Sequence, residues 1–374
     1  MNILLAPDSF KGTLSATEVC ALLRQEILSA SPDALVTALP IADGGEGTVD
    51  AFLHIFGGSR VTVRAHSPLL HEMDADYAVL PDGTAVIETA AASGIAIELQ
   101  NDALHASTFG TGELFCDALN RGCRKIVFGL GGSATTDGGT GLLTALGARF
   151  LDADGKELPY GGTALEKLCS IDLSGLDKRL KKVRVTVLCD VKNPLFGKNG
   201  AAAVFAPQKG ADAAAVETLD RGLRVLASVS AKTLGADLSA AEGAGAAGGL
   251  GFACLAFLQG KLTPGIDYIL DAASFAERAK NADLIITGEG KMDAQSLMGK
   301  APFGVAKRSG GTRVIAIVGL CEATTAQLVN AGIAAVYETN ALHRPFSEVK
   351  ARAKEDFCAA AKLLWQAEGK NGAE

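Results

Sequence analysis

NILLAPDSFKGTLSATEVCALLRQEILSASPDALVTALPIADGGEGTVDAF, residues 2–52, alternates between two hydrophobic periods. NILLAP (2–7) is a short apolar run closed by proline, which reads as a buried strand. DSFKGTL (8–14) is a polar, glycine-containing loop. Ser15 and Glu18 have capping-box spacing, so a helix is expected from about Ala16, with Val19, Leu22, Leu23 and Ile27 on one face. SP at 31–32 stops that helix, ALVTALPIA (34–42) reads as a second strand, and a second helix carries Val49, Phe52 and Leu53. A strand–helix–strand–helix order implies parallel strands. Asp8 and Asp43 then fall just past strand carboxyl ends, the edge at which open α/β sheets take ligands.

The same style returns near the C-terminus. ADLIITGEG (282–290) reads as strand then loop, Pro302 suits the first turn of a helix over 302–309, and RVIAIVG (313–319) and IAAVYET (333–339) read as strands. An amphipathic helix is expected over 347–366. The middle is more mixed. VTVRAHSP, DADYAVLPDG and TAVIETAAA are short strands with a hairpin-like break at Pro81-Asp82-Gly83. Another strand, glycine loop and helix follow over 124–148, then a strand ending at Asp190, an Ala-rich helix over 212–235 and a glycine loop that opens a buried helix over 243–258. The expected fold is α/β with two α/β domains. One, doubly wound and Rossmann- or flavodoxin-like, is built from residues 1–60 plus 280–374; the other, 61–279, is inserted into it.

Of the 374 residues 48% are hydrophobic, enough for a large core, and the net charge is -7. The longest basic run, KRLKK (178–182), is short, so nucleic acid and anionic membranes are poor partners. No long apolar stretch lacks charges or glycines, so no membrane span is expected. The 8 cysteines form no C-x-x-C, which fits a reduced compartment and no zinc. The N-terminus already reads as a strand rather than a signal peptide, and a cytoplasmic location is expected.

GLGGSATTDGGTG (129–141) is the richest loop. Glycines let a backbone approach a phosphate, and amides at a helix start favour an anion. Gly131, Gly132, Ser133, Thr135 and Thr136 are therefore candidate phosphate or substrate contacts. Gly44 and Gly45, Asp8 and Ser9, Asn193, and Gly288 and Gly290 join them from loops of the same grammar. There is no Walker A motif, no D-F-G and no G-x-S-x-G, HRP at 343–345 is no protein-kinase catalytic loop, and the five histidines form no ligand cluster. A dinucleotide-type G-x-G-x-x-A stays open at 129–134.

Seven acids fall at or just after expected strand ends: Asp8, Asp43, Glu46, Asp137, Asp190, Glu289 and Asp293. Singly, each is an ordinary helix cap; together they suggest a cation with oxygen ligands, such as Mg²⁺. Glu46, Asp137, Glu289 and Asp293 are the expected metal set. Lys11, Lys291 and Lys300 could balance phosphate charge. Asp190, followed by Asn193 and Pro194, is the first choice as proton acceptor, with Lys11, Asp43 and Lys291 as the other candidate catalytic groups.

Five blocks then fit one pattern. APDSFKGTLSA (6–16), PIADGGEGT (40–48), GLGGSATTDGG (129–139), CDVKNPLFG (189–197) and TGEGKMDAQSLMGK (287–300) together resemble the glycerate kinase family, in its class I found mainly in bacteria. The resemblance spans the chain in order. It implies two α/β domains, one interrupting the other, with the site in the cleft between them. It also implies ATP-dependent phosphorylation of D-glycerate, with 2-phosphoglycerate favoured over 3-phosphoglycerate, and Mg²⁺ carried with ATP. A kinase for another small hydroxy acid or sugar acid is the alternative, and a non-catalytic nucleotide or acid sensor a more distant one. The expected partners are small molecules, and a homodimer stays open.

Overall fold

The computed structural model describes residues 1–293, 296 and 300–368. Its strands are β1 (Asn2–Pro7), β2 (Leu35–Ala38), β3 (Ser59–His66), β4 (Glu72–Val79), β5 (Thr84–Glu88), β6 (Lys125–Gly129), β7 (Arg149–Leu151), β8 (Ser170–Asp172), β9 (Arg184–Leu188), β10 (Lys261–Thr263), β11 (Leu284–Met292), β12 (Arg313–Cys321) and β13 (Ile333–Glu338). The chain divides into two compact units: Met1–Asp43, Asp50–Ile55 and Gly265–Glu374 form the first, and Gly44–Val49 and Phe56–Pro264 the second. The chain thus returns to the first unit at Gly265, ahead of the expected residue 280, and DGGEG is split between the units after Asp43.

The first unit is a parallel sheet of order β13-β12-β11-β1-β2. Counted within the unit, this is the flavodoxin-like order of a doubly wound sheet, with its switch point between β1 and β11. Both faces of β1 are covered: Ile3, Leu4, Leu5 and Ala6 are all buried. Ile3, Leu5, Leu284 and Ile286 share a core with Val19, Leu23 and Ile27 of the Ala16–Ala30 helix and with Phe357, Leu364 and Trp365 of the Phe346–Glu368 helix. Each large aliphatic side chain buried there contributes about 1.5–3 kcal/mol. The capping box forms as expected: Glu18 N donates to Ser15 Oγ (3.2 Å) and Ser15 N to Glu18 Oε2 (2.8 Å).

The second unit holds a mixed sheet of order β10-β9-β6-β5-β4-β3. β3, β4 and β5 pair antiparallel, while β5, β6, β9 and β10 run parallel. The register sets Glu88, Gly129 and Leu188 side by side, so the loops after β5, β6 and β9 leave the same edge. Phe115 and Phe128 meet edge-on at 4.9 Å in its core. The Ala213–Leu234 helix is capped by Asp212, whose carboxylate accepts from Ala215 N at 2.8 Å, and ends at left-handed Gly235. Among the described residues no helix is long and apolar enough to cross a membrane.

Candidate active site

The first unit opens a cavity of about 360 Å³ at the carboxyl edge of its sheet. Asp8 and Ser9 follow β1 directly, and Asp8 N donates to Gly288 O of β11 at 2.8 Å, which fixes them at the switch point. The chain stays beside β1 beyond β2, with Ile41 N donating to Pro7 O at 3.0 Å, and so delivers Asp43 to the same edge. Lys11 Nζ lies 3.6 Å from Asp43 Oδ2. Glu289, Gly290, Lys291, Asp293 and Lys300 add to the polar lining; Phe10, Leu14, Leu320, Phe346, Val349 and Ala353 give it an apolar part. Eight of the expected site residues therefore share one cavity: Asp8, Ser9, Lys11, Asp43, Glu289, Gly290, Lys291 and Asp293.

The acids crowd one another. Burial, and then the Asp43 charge, holds the Asp8 carboxyl well above the usual carboxylate range. Asp43 in turn raises Lys11. Burial pushes Glu289 up to about 7, against a hydrogen bond from Ser296 and the charge of Lys300. Among the described residues, Ser9 Oγ and Glu289 Oε1 are buried and lack a partner. Lys291 is half-exposed and ion-paired with Glu322 at 2.8 Å.

Glu289 makes stability depend on pH. Between the ordinary carboxylate value and about 7, the folded chain keeps a proton that the unfolded chain has released, so stability falls as pH rises through that window. Glu289→Gln removes this dependence. Its melting temperature should match the parent's near pH 4.5 and exceed it above pH 7, by of order 2–3 kcal/mol in stability without metal or nucleotide. Superimposable melting curves at pH 8 would rule this out.

The GEG of residues 288–290 is not a loop. β11 continues to Met292, with Gly288 and Glu289 opposite Ile317 and Val318 of β12. A Cβ on Gly288 would stand 2.2 Å from Ile317 O, so that glycine serves strand contact rather than a phosphate cradle. Arg344 and Asn340 also line the cavity and were not anticipated. Arg344 Nη1 pairs with Asp356 at 2.8 Å, and its amide donates to Asn340 Oδ1 at 2.9 Å. The available signal was HRP itself: a basic residue in the turn after the last parallel strand must lie at the sheet's carboxyl edge.

In the second unit the glycines answer to backbone packing. A Cβ on Gly129 would lie 2.4 Å from Gly44 O, and one on Gly131 would lie 2.5 Å from Gly45 Cα. Gly131 N donates to Gly44 O at 3.0 Å. Gly129 and Gly131 thus let their loop lie flat on Gly44 and Gly45, and this close backbone packing restricts the expected role of Gly44 and Gly45 as substrate contacts. Gly132 is exposed with φ +76°; its carbonyl accepts from Ile95 N at 2.8 Å, and a Cβ there would meet only the Ala90 methyl, so that side of its backbone remains open to approach.

Asp137 was expected to bind metal, but its carboxylate is fully engaged. It is buried and accepts from Thr108 N (2.8 Å), Thr108 Oγ1 (2.8 Å), Gly139 N (3.0 Å) and Gly141 N (3.2 Å). It pins the loop to the start of the Thr140–Ala145 helix. Glu46 is exposed in the second unit, and among the described residues no three His, Cys, Asp or Glu side chains are grouped to hold a metal. Asp190 stands exposed after β9 in the second unit. Asn193 Nδ2 donates to Asn199 O at 2.8 Å rather than being held for a ligand. Lys209, which no local motif announced, is buried against this loop, its Nζ 2.9 Å from Ser133 Oγ.

The chain matches the glycerate kinase family over residues 3–367. It is 45% identical over 343 residues to a glycerate kinase of Bacillus subtilis (strain 168), covering 90% of each chain. It is 41% identical over 369 residues to the glycerate 2-kinase of Escherichia coli (strain K12), covering 97% of each. A crystal structure described as glycerate kinase 2 from Salmonella typhimurium LT2 superposes with a TM-score of 0.83 at 42% identity, covering 100% of both chains. With the parallel sheets and the acid-lined switch point already in place, these matches establish that the chain belongs to the glycerate kinase family.

Proposed function

We propose that the protein transfers the γ-phosphoryl group of ATP to a hydroxyl of D-glycerate, with 2-phosphoglycerate as the main product, in the cytoplasm. The observation that carries this is the first-unit cavity, where Asp8, Asp43 and Glu289 surround the Lys11 ammonium at the sheet's switch point. Phosphoryl transfer asks a protein mainly for positioning and charge balance, and this lining offers both. The E. coli relative's name, glycerate 2-kinase, favours the 2-hydroxyl.

The cavity's apolar side chains have no counterpart in a three-carbon acid but suit a nucleobase, with exposed Phe346 able to stack on it. Lys11, Lys300 and Arg344 then take the phosphates, and Asp43 accepts the hydroxyl proton. The donors present are hard oxygens, and Glu289 Oε1 has no other partner among the described residues, so the set fits Mg²⁺ with one or two carboxylates and the rest phosphate and water. Mg²⁺, when bound, supplies charge neutralisation on the triphosphate. Asp8 and Glu289 would hold it; Asp8 is kept from the solvent by burial.

ADP release measured with D-glycerate, L-glycerate, tartronate and gluconate in competition tests the assignment, and NMR of the product fixes the hydroxyl. D-glycerate should win by kcat/KM. Preference for gluconate would move the protein to a sugar-acid kinase, and binding without turnover would make it a sensor. Activity should vanish in chelator and return with Mg²⁺, because the cavity's acids and the triphosphate otherwise repel. Full turnover in metal-free buffer would overturn the metal assignment.

A further inference from the structure

Lys209 closes the short Pro207–Lys209 helical turn and is only 1% exposed. Its Nζ donates to Ser133 Oγ at 2.9 Å and to the Thr135 carbonyl at 2.6 Å. A buried ammonium is costly unless it is paired and hydrogen-bonded, so a purely structural position would be filled better by an apolar side chain. Burial depresses Lys209 to about 7, with only the Asp137 charge opposing it.

Asp137 grips the other end of the same segment through Thr108, Gly139 and Gly141. The stretch from Ser133 to Asp137 is therefore strung between the buried Lys209 amine and the buried Asp137 carboxyl group. Within it, Thr135 Oγ1 and Thr136 Oγ1 are buried and have no partner among the described residues. Buried hydroxyls are normally satisfied, and two consecutive orphans in a loop with open Gly132 beside them mark donors kept for a ligand's oxygens. The peptide plane adds direction: with the Thr135 carbonyl held on Lys209, the Thr136 N–H of the same planar trans peptide points the opposite way.

We infer that Lys209 is a positioning residue for substrate recognition, holding the 133–136 segment so that its hydroxyls and amides face the phosphate or carboxylate of a bound substrate. This rests on the reading that the loop contacts substrate. Lys209 acts through Ser133 and Thr135, to which its Nζ donates.

Steady-state kinetics of Lys209→Met and Lys209→Gln in the full-length protein, with ATP and D-glycerate each varied, test this, with thermal melting alongside. Losing hydrogen bonds to a charged group should raise KM for one substrate by about 10–100-fold in Lys209→Met. Lys209→Gln keeps a donor for the Thr135 carbonyl, should recover part of that loss, and carries the test if the Met variant does not fold. Both KM values within about twofold of the parent in every folded variant would overturn the inference. Gly132→Ala separates the two levels: a raised KM in this variant with parent values in the Lys209 variants refutes Lys209 alone. Parent values in all of them refute substrate contact by the loop, and the inference with it.

Discussion

An Asp43→Asn variant is expected to turn over about 10²–10⁴-fold more slowly than the parent, with a melting temperature close to the parent's. Asp43 is brought to the cavity by backbone pairing alongside β1, and its carboxylate faces Lys11 at 3.6 Å. Asparagine keeps its size and its hydrogen-bonding outline but loses the charge and the basicity. Proton acceptance and charge balance both need the carboxylate, whereas a turn-forming role does not. Asp190→Asn is the matched comparison. If Asp190 is the base, the large loss moves to that variant; if Asp43 is, Asp190→Asn stays within a few-fold of the parent. Parent-like kcat in Asp43→Asn would return that residue to structure.

Lys11→Met should lower kcat/KM by about 10²–10³-fold, the scale seen when one donor that stabilises developing charge is removed. Lys11 extends from the loop after β1, half-exposed, with Asp43 as its partner and Asp8 and Glu289 as further attracting charges. Its removal leaves three acids facing an anionic substrate. Lys11→Arg keeps the charge and should retain far more activity than Met, although the planar fork cannot reproduce a point charge in full. Equal activity in Arg, Met and parent enzymes would place Lys11 outside the reaction.

Much of this was legible because it is periodic or local. The β1 run, the Ser15–Glu18 box and the helix face of Val19, Leu23 and Ile27 are all short-range patterns, and they place Asp8 and Asp43 without any contact information. What failed needed the third dimension. GEG looks like a loop because glycine is poor strand material, yet Gly288 is required where a side chain would strike Ile317 O. Asp137 looks like a ligand until Thr108, 29 residues away, is seen to occupy it. Lys209 lies 76 residues from Ser133, and no spacing rule connects them. Arg344 had a readable position, since a turn after a parallel strand reaches the ligand edge of the sheet.

The pairing of β1 with β11 carries a consequence for how the molecule is made. Ile3 sits opposite Leu284, so the central strand pair of the first sheet cannot form on the ribosome until the chain has been synthesised well past that residue. Strand pairing across so long a separation is slow, because the intervening chain must be brought to heel before any contact rewards it. The second unit, almost wholly contained in Phe56–Pro264, meets no such delay and can consolidate while synthesis continues. Its early folding shortens the effective tether between β1 and β11. Apolar β1 and β2 meanwhile wait with unsatisfied edges, the interval in which a nascent chain of this design most needs a chaperone.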